Sequence, residues 1–125
     1  MIVDTNALSA LAGRDEDLVA ILQPAPRLCV TLFSLGEYLY GIGQSRHRVA
    51  LQSWLDAFLG HAETLLPDRG TLPFYAEIRR QLKTDGKPIP ANDCWIAALA
   101  KQHRLPVVSL DKHFDAVKGL RRIAW

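Results

Sequence analysis

The chain has 125 residues, a length that fits one domain with a substantial core and is too short for two ordinary domains. Hydrophobic residues make up 49% of it and charged residues 22%, which excludes a disordered chain. No apolar stretch approaches the roughly 20 residues that cross a bilayer, and Asp4 interrupts a secretory leader at once. We therefore expect a soluble, cytoplasmic protein without a membrane anchor.

The apolar pattern alternates between short runs, which predict strands, and residues spaced by three or four, which predict helices. In chain order the predicted elements are a strand at residues 1–3, helices at 6–12 and 16–22, a strand at 28–30, a helix that begins near Thr31 or Ser34 and ends near Gly43, a helix at 46–60, a strand at 64–66, helices at 72–82 and 92–103, and strands at 107–110 and 120–124. Strands that alternate with helices are typical of a parallel sheet with helices on both faces. We predict one α/β domain over residues 1–125 with four to five short strands.

Only two cysteines occur, Cys29 and Cys94, and they do not have the spacing of a zinc site. Both stand among apolar residues, so we predict buried free thiols rather than a disulfide or a metal site.

Four carboxylates stand where an apolar run breaks: Asp4, Glu37, Asp93 and Asp111. Asp4 and Asp111 each follow a predicted strand. If these two strands are parallel neighbours, their acids meet at the carboxyl edge of the sheet, where open α/β folds bind ligands. Carboxylates that converge without basic partners repel one another, and a bound divalent cation usually offsets that repulsion. Oxygen ligands without cysteine or clustered histidine favour Mg²⁺ or Mn²⁺ over zinc.

Each acid also has an ordinary structural explanation. Asp4 could cap the following helix, and Ser34 with Glu37 has the spacing of a capping box. Asp93 is favoured at a helix start, and Asp111 in a turn. The joint pattern is harder to explain structurally, because Glu37 lies on a helix whose apolar residues hold it against the sheet and Asp93 enters a buried helix start.

Two further features bear on this region. Gly36, Gly41 and Gly43 are poor helix formers on the Glu37 helix, which indicates close backbone approach there. The net charge is +2, but setting the four acids aside leaves nine acidic residues against 15 basic ones. An acidic site on a basic surface suits a metal-dependent enzyme acting on a polyanion, although the charge alone is equally consistent with an ordinary soluble protein.

Four blocks of sequence carry these acids in one order: IVDTN at residues 2–6, TLFSLGEYLYG at 31–41, IPANDCWIAALA at 89–100 and VVSLDKHF at 107–114, followed by Gly119-Leu120 and Trp125. By these blocks, which span nearly the whole chain, it resembles the PIN-domain family and specifically the VapC-type ribonuclease toxins. The resemblance implies a single PIN-like domain and an endoribonuclease that uses Mg²⁺, with Mn²⁺ able to substitute.

The resemblance also implies roles for individual residues. Asp4, Glu37, Asp93 and Asp111 match the metal-binding and catalytic acids of the family. Asn6 and Ser109 match positions that support the site.

Two charged neighbours of Asp111 match no catalytic position of the family. His113 matches a residue that packs or caps, and Asp115 is a surface residue or a minor helper.

Partners follow from the same resemblance. A VapC-like toxin pairs with a VapB-type antitoxin whose tail wraps over the acidic site, forms a homodimer, and binds DNA only through the antitoxin. The Glu37 helix and residues 46–60 are candidate surfaces for these protein contacts. An RNA substrate must expose its backbone, so a single-stranded or looped target fits better than a duplex.

Four basic residues near the acids are candidates for binding that RNA: Arg46, Arg48, Lys87 and Lys112. Each of them is also explained as an ordinary solvated charge.

Three alternatives remain at this point. One is a PIN-fold protein that has lost catalysis and only binds partners. A phosphorylation receiver also has an acidic Mg²⁺ pocket, but it needs a Lys after a late strand, where Asp111 stands. A haloacid-dehalogenase-type phosphatase needs a second Asp two residues after the first, and position 6 holds Asn6.

Overall fold

Five short parallel strands form the central sheet of the computed structural model, which describes residues 1–125. They are β1 (Ile2–Val3), β2 (Cys29–Thr31), β3 (Glu63–Leu65), β4 (Val107–Val108) and β5 (Arg122–Ile123). Their order in the sheet is β3-β2-β1-β4-β5, and every neighbouring pair is parallel. The predicted parallel sheet of four to five short strands is confirmed.

Six helices connect these strands: α1 (Thr5–Ala12), α2 (Glu16–Leu22), α3 (Leu32–Gly43), α4 (Arg48–Leu59), α5 (Leu72–Thr84) and α6 (Ala91–His103). Two short 3₁₀ helices, η1 (Arg69–Thr71) and η2 (Lys112–Ala116), complete the chain. None of the six helices combines the length and the hydrophobicity that a membrane span needs.

The core divides into two clusters because successive residues of a strand point to opposite faces of a sheet. Ile2 belongs to the cluster that packs against α5 and α6, through residues such as Ile78 and Leu99. Val3 belongs to the other cluster, where α1 to α4 supply Leu8, Leu18, Tyr38 and Leu55 among others. Helices therefore cover both faces, as predicted. Cys29 and Cys94 are buried and free, which confirms that expectation.

The strand order reverses direction at β1, which has β2 on one side and β4 on the other. Ligands of open α/β sheets bind outside the carboxyl ends of the strands at such a point. The order also differs from the 2-1-3-4-5 order of flavodoxin-like folds. The receiver alternative, which requires a fold of that type, is therefore wrong.

Two expectations for α3 are wrong. Ser34 and Glu37 do not form a capping box: Thr31 is the N-cap residue, and its Oγ1 accepts a hydrogen bond from the backbone N–H of Ser34 at 3.0 Å. Close backbone approach at the glycines is also absent, since an added Cβ at Gly36, Gly41 or Gly43 would meet no atom within 4 Å. These glycines lie on the exposed side of α3.

Candidate metal centre

Asp4 lies directly after β1 and is 4% exposed. Its two carboxylate oxygens accept hydrogen bonds from the hydroxyls of Ser34 (3.2 Å) and Ser109 (2.8 Å). Burial raises the pKa of this carboxyl because the charged form loses solvation, and the nearby Glu37 carboxylate raises it further, whereas the hydrogen bonds lower it. Asp4 is the N-cap residue of α1, but its side chain makes no capping hydrogen bond. Its oxygens are therefore directed at the site rather than at the helix start.

Asp93 is buried in the first turn of α6, where the positive end of the helix dipole favours an anion. Burial also raises the pKa of Asp93, and the negative charges of Asp111 and Asp4 add to this effect. Asp93 therefore lies near the acid that follows β1 and the acid that precedes η2.

Asp111 begins η2 beyond the end of β4, and its Oδ1 accepts a hydrogen bond from the backbone N–H of His113 at 2.9 Å. The His113 ring turns back over the site: Nδ1 lies 2.9 Å from Oδ2 of Asp93 and 3.0 Å from Oδ1 of Asp111. The hydrogen bond with Asp93 is the main reason that the pKa of His113 is raised. The resemblance implied a packing or capping role for this histidine, and the structure instead places it between two acids.

Glu37 is exposed on α3 and connects the elements that carry the other acids. Its Oε2 accepts a hydrogen bond from Thr5 Oγ1 at 3.0 Å, and its Oε1 accepts one from Asn92 Nδ2 at 2.8 Å. Thr5 directly follows Asp4, and Asn92 directly precedes Asp93. The Glu37 carboxylate is therefore held next to both buried acids by their chain neighbours.

Ser109 and Asn6 join the ends of β1 and β4. The Ser109 hydroxyl, which donates to Asp4, also accepts from Asn6 Nδ2 (3.1 Å) and from the backbone N–H of Asp111 (3.0 Å). The Asn6 side-chain oxygen accepts from the backbone N–H of Leu110 at 3.1 Å. These bonds connect Asp4 with the backbone on either side of Leu110, and the supporting role of Asn6 and Ser109 in a metal site stays a prediction.

The charges of the site are compatible with a bound metal ion. None of the salt bridges joins a Lys or Arg to the four acids, and His113 is the one basic group that contacts them. Ligand atoms of Asp93, Asp111 and His113 lie within 4.8 Å of one another, which is close enough for one ion to contact all three. Asp4 and Glu37 flank this group without belonging to it. Carboxylate oxygens dominate the donor set, which fits a hard cation.

Sequence reasoning found the acids and missed the residues that orient them. The roles of Thr5, Ser34, Asn92 and His113 depend on contacts between distant elements. The one local signal was the spacing of His113 two residues after Asp111 at a helix start. Asp115, one of the charged neighbours of Asp111, pairs instead with Arg122 at 2.8 Å.

The basic residues singled out for RNA lie at the surface of the protein. Arg46 lies in the turn before α4 and Arg48 begins that helix. Lys87 lies in the loop before α6, and Lys112 follows Asp111. All four are exposed, and none forms a salt bridge. Their contact with RNA stays a prediction.

Comparison with known proteins agrees with the sequence blocks. The PIN domain family matches residues 1–120. Toxin FitB of Neisseria gonorrhoeae is 39% identical over 105 residues, which cover 83% of this chain and 70% of FitB. Ribonuclease VapC5 of Mycobacterium tuberculosis is 29% identical over 119 residues, which cover 94% of this chain and 87% of VapC5.

A solved structure agrees as well. DNA-bound VapBC from Salmonella typhimurium superimposes with a TM-score of 0.87 at 24% identity, covering 99% of this chain and 96% of that one, and so has the same fold. The resemblance stated from the sequence is confirmed: the chain belongs to the PIN domain family.

Proposed function

We propose that this chain is a metal-dependent endoribonuclease that acts as the toxin of a VapBC-type toxin–antitoxin pair, with residues 1–125 forming one nuclease domain. The observation that carries the proposal is the grouping of Asp4, Asp93 and Asp111 beyond the carboxyl ends of β1 and β4, where the strand order reverses. The Ser109 hydroxyl contacts Asp4 and the backbone of Asp111, and His113 Nδ1 contacts Asp93 and Asp111. Two of these acids are buried with raised pKa values. Ionisation of these buried acids destabilises the folded protein unless a bound cation neutralises their charge.

The metal is Mg²⁺, for which Mn²⁺ substitutes, and Asp4, Glu37, Asp93 and Asp111 are the residues that would hold it. When bound, such an ion supplies positive charge for the phosphodiester and activates a water for attack. The chain's own groups prepare the site. Ser109, together with the Ser34 hydroxyl, fixes the orientation of Asp4.

His113 holds the site together when no metal is bound. A proton on its Nδ1 is shared between Asp93 and Asp111, which offsets part of their mutual repulsion.

The substrate is RNA, as the name of ribonuclease VapC5 states for that relative. The carboxyl edge of the sheet is open to solvent at Glu37. This leaves room for an RNA strand whose sugar-phosphate backbone is exposed. Single-stranded or looped RNA meets this requirement better than an A-form duplex. Activity on cellular RNA requires the cytoplasm as the working location.

The partners proposed are a VapB-type antitoxin and a second copy of the chain, with DNA reached only through the antitoxin. The relative FitB is named a toxin, and the VapBC structure is DNA-bound. An exposed apolar surface on α3 and α4 offers a docking face: Leu39, Tyr40 and Val49 are 43%, 76% and 76% exposed. Open space above Gly36 and Gly43 allows a partner to approach the α3 backbone.

A PIN-fold protein that only binds partners is the second candidate, and the intact set of acids argues against it. The test is incubation of the purified chain with single-stranded RNA in Mg²⁺ and in EDTA, followed by sequencing of the RNA ends. Defined new ends that require Mg²⁺ support the nuclease. A chain that binds an antitoxin but produces no new ends with either Mg²⁺ or Mn²⁺ supports the silent binding protein.

A further inference from the structure

A cavity of about 690 Å³ opens between α5 and α6, and we refer to it as the α5–α6 cavity. This volume lies within the roughly 300–1,000 Å³ of typical small-molecule sites. Tyr75, Ile89 and Cys94 form part of its wall. Cys94 directly follows Asp93 on α6, so the first turn of this helix supplies one residue to the cavity and one to the acid site.

Basic residues border the α5–α6 cavity, and no acid lines it. Arg79, Arg80 and Lys83 lie along one stretch of α5; all three are exposed, and none forms a salt bridge. Arg79 is held against the wall, because its Nη1 donates to Tyr75 Oη at 2.7 Å and its guanidinium carbon lies 5.7 Å from the centre of the Tyr75 ring. A largely apolar cavity with three unpaired cations is suited to an anion that carries a flat apolar ring.

A row of aromatic rings connects this cavity with the acid site. Tyr75 stacks on Trp95 with ring centres 3.8 Å apart, and Trp95 stacks on Phe33 at 5.8 Å with nearly parallel planes. Phe33 lies about one helical turn before Glu37, and Trp95 about one turn after Asn92. The Phe33–Trp95 stack and the Glu37–Asn92 hydrogen bond are thus successive contacts between α3 and α6. The row begins one turn from the acids and ends at the cavity wall.

We propose that the α5–α6 cavity binds one nucleotide of single-stranded RNA that flanks the cleaved bond. The base lies against Tyr75 and Ile89, and the phosphates lie against the three cations of α5. Aromatic surfaces combined with a cationic border are the means by which single strands are held, since every base has a face for stacking. The inference rests on the proposed nuclease function. It identifies the surface that the RNA strand contacts beyond the acid site.

Charge favours RNA over a second copy of the chain as the occupant. A two-fold contact uses the same patch on both copies, and this patch carries Arg79, Arg80 and Lys83 but no acid in the cavity lining, so two copies would bring cations together without a compensating charge. The cations predicted from sequence to bind RNA, Arg46, Arg48, Lys87 and Lys112, do not line this cavity. The proposal therefore assigns RNA binding to residues that the sequence pattern did not single out.

The test measures binding of a fluorescent single-stranded RNA of about eight nucleotides and mixed sequence, by anisotropy over a range of salt concentrations. The full chain with Asp4→Asn is used so that the RNA stays intact. Arg80→Ala and Lys83→Ala should each weaken binding and reduce the slope of log K against log salt by about 0.7, the value for one lost phosphate contact on a single strand. Arg69→Ala, an exposed cation outside the cavity, is the matched control and should change neither quantity.

A second variant probes the base. Tyr75→Leu keeps an apolar wall but removes the ring, and should weaken binding by about 5- to 150-fold, the range for loss of one base stack. Far-UV circular dichroism and thermal melting verify that the variant folds. The salt slope should fall by no more than the roughly 0.7 of one phosphate contact in Tyr75→Leu, because Arg79 is the only cavity cation that bonds the Tyr75 hydroxyl.

Wild-type RNA cleavage, measured in parallel, separates this inference from the nuclease proposal. If the wild type cleaves RNA and Arg80→Ala and Lys83→Ala bind it with unaltered affinity and slope, the cavity proposal is overturned and the nuclease stands. If these variants bind RNA more weakly but the wild type never cleaves it, the cavity proposal stands and the nuclease falls. If Arg80→Ala and Lys83→Ala bind RNA like wild type but no longer self-associate or bind the antitoxin, the proposal is overturned. The cavity then belongs to a protein partner.

Discussion

The Nδ1 atom of His113 lies 2.9 Å from Oδ2 of Asp93, and the same atom lies 3.0 Å from Asp111. A proton at this position serves two carboxylates at once, which is why the pKa of His113 is raised, above all by the bond with Asp93. A divalent cation bound at these oxygens would replace that proton. Metal binding and the charge of His113 are therefore coupled through Asp93.

The first prediction concerns the pH dependence of stability without metal. Because the folded-state pKa of His113 is raised above its ordinary 6.5, its stabilising contribution is complete below that value and is lost as pH rises through the folded-state pKa. In EDTA, the Tm advantage of wild type over His113→Gln should be larger at pH 5.5 than at pH 9. The control is His61→Gln, at an exposed histidine whose side chain has no hydrogen-bond partner. A Tm difference for His113→Gln that does not change with pH would contradict the prediction.

The second prediction concerns the charge of Asp4. Burial raises the folded-state pKa of Asp4 above its ordinary 3.8, so the ionised form destabilises the metal-free protein once pH exceeds that value. Asp4→Asn should therefore be as stable as wild type, or more stable, in urea denaturation at pH 7 with EDTA. This advantage should disappear below pH 3.8. A clear loss of stability at pH 7 would mean that the hydrogen bonds from Ser34 and Ser109 outweigh the burial of the charge.

The third prediction concerns Asn92, which positions Glu37 through a 2.8 Å hydrogen bond. Residues that orient metal ligands contribute about 10- to 100-fold to metal affinity. Asn92→Ala should therefore weaken Mn²⁺ binding by about that factor in isothermal titration, with little change in Tm because Asn92 is exposed. Gln52→Ala removes an exposed side-chain amide that bonds Asp56 on α4 and should leave Mn²⁺ affinity unchanged. Equal affinities for all three proteins would refute the positioning role.

The fourth prediction concerns Ser109, whose buried hydroxyl contacts Asp4, Asn6 and the backbone of Asp111. Loss of a buried hydrogen-bonding group that leaves its partners unsatisfied costs about 1–3 kcal/mol. Ser109→Ala should reduce the free energy of unfolding by that amount in urea denaturation. Ser53→Ala, on the exposed side of α4, should stay within about 0.5 kcal/mol of wild type. A Ser109→Ala protein as stable as Ser53→Ala would show that the hydroxyl network contributes little.

The sequence predicted the sheet and the acids because both depend on local patterns. Asp4 follows a short apolar run, and Asp111 closely follows another, and parallel pairing of β1 with β4 was enough to bring them together. The contacts of His113 with Asp93 were not predictable in this way. Residues 93 and 113 belong to different elements, and only the packing of η2 against the start of α6 brings them together.

Glu37 shows how a local pattern can mislead. The spacing of Ser34 and Glu37 fits a capping box, but Thr31 is the cap, and the Glu37 carboxylate bonds Thr5 and Asn92 instead. The Glu37 side chain therefore forms hydrogen bonds to residues of α1 and α6 rather than to the start of its own helix. The glycines of α3 were misread for a related reason, since composition does not reveal which side of a helix faces solvent.

Cleavage of single-stranded RNA at saturating Mg²⁺ by Asp4→Asn, Asp93→Asn and Asp111→Asn tests most directly whether these acids form one metal-dependent site. Asp56→Asn, the same change at an exposed acid of α4, is the matched control. All three site variants should lose metal-dependent cleavage to background while remaining folded, and Asp56→Asn should cleave like wild type. Wild-type cleavage by both Asp4→Asn and Asp93→Asn would contradict the assignment of the site.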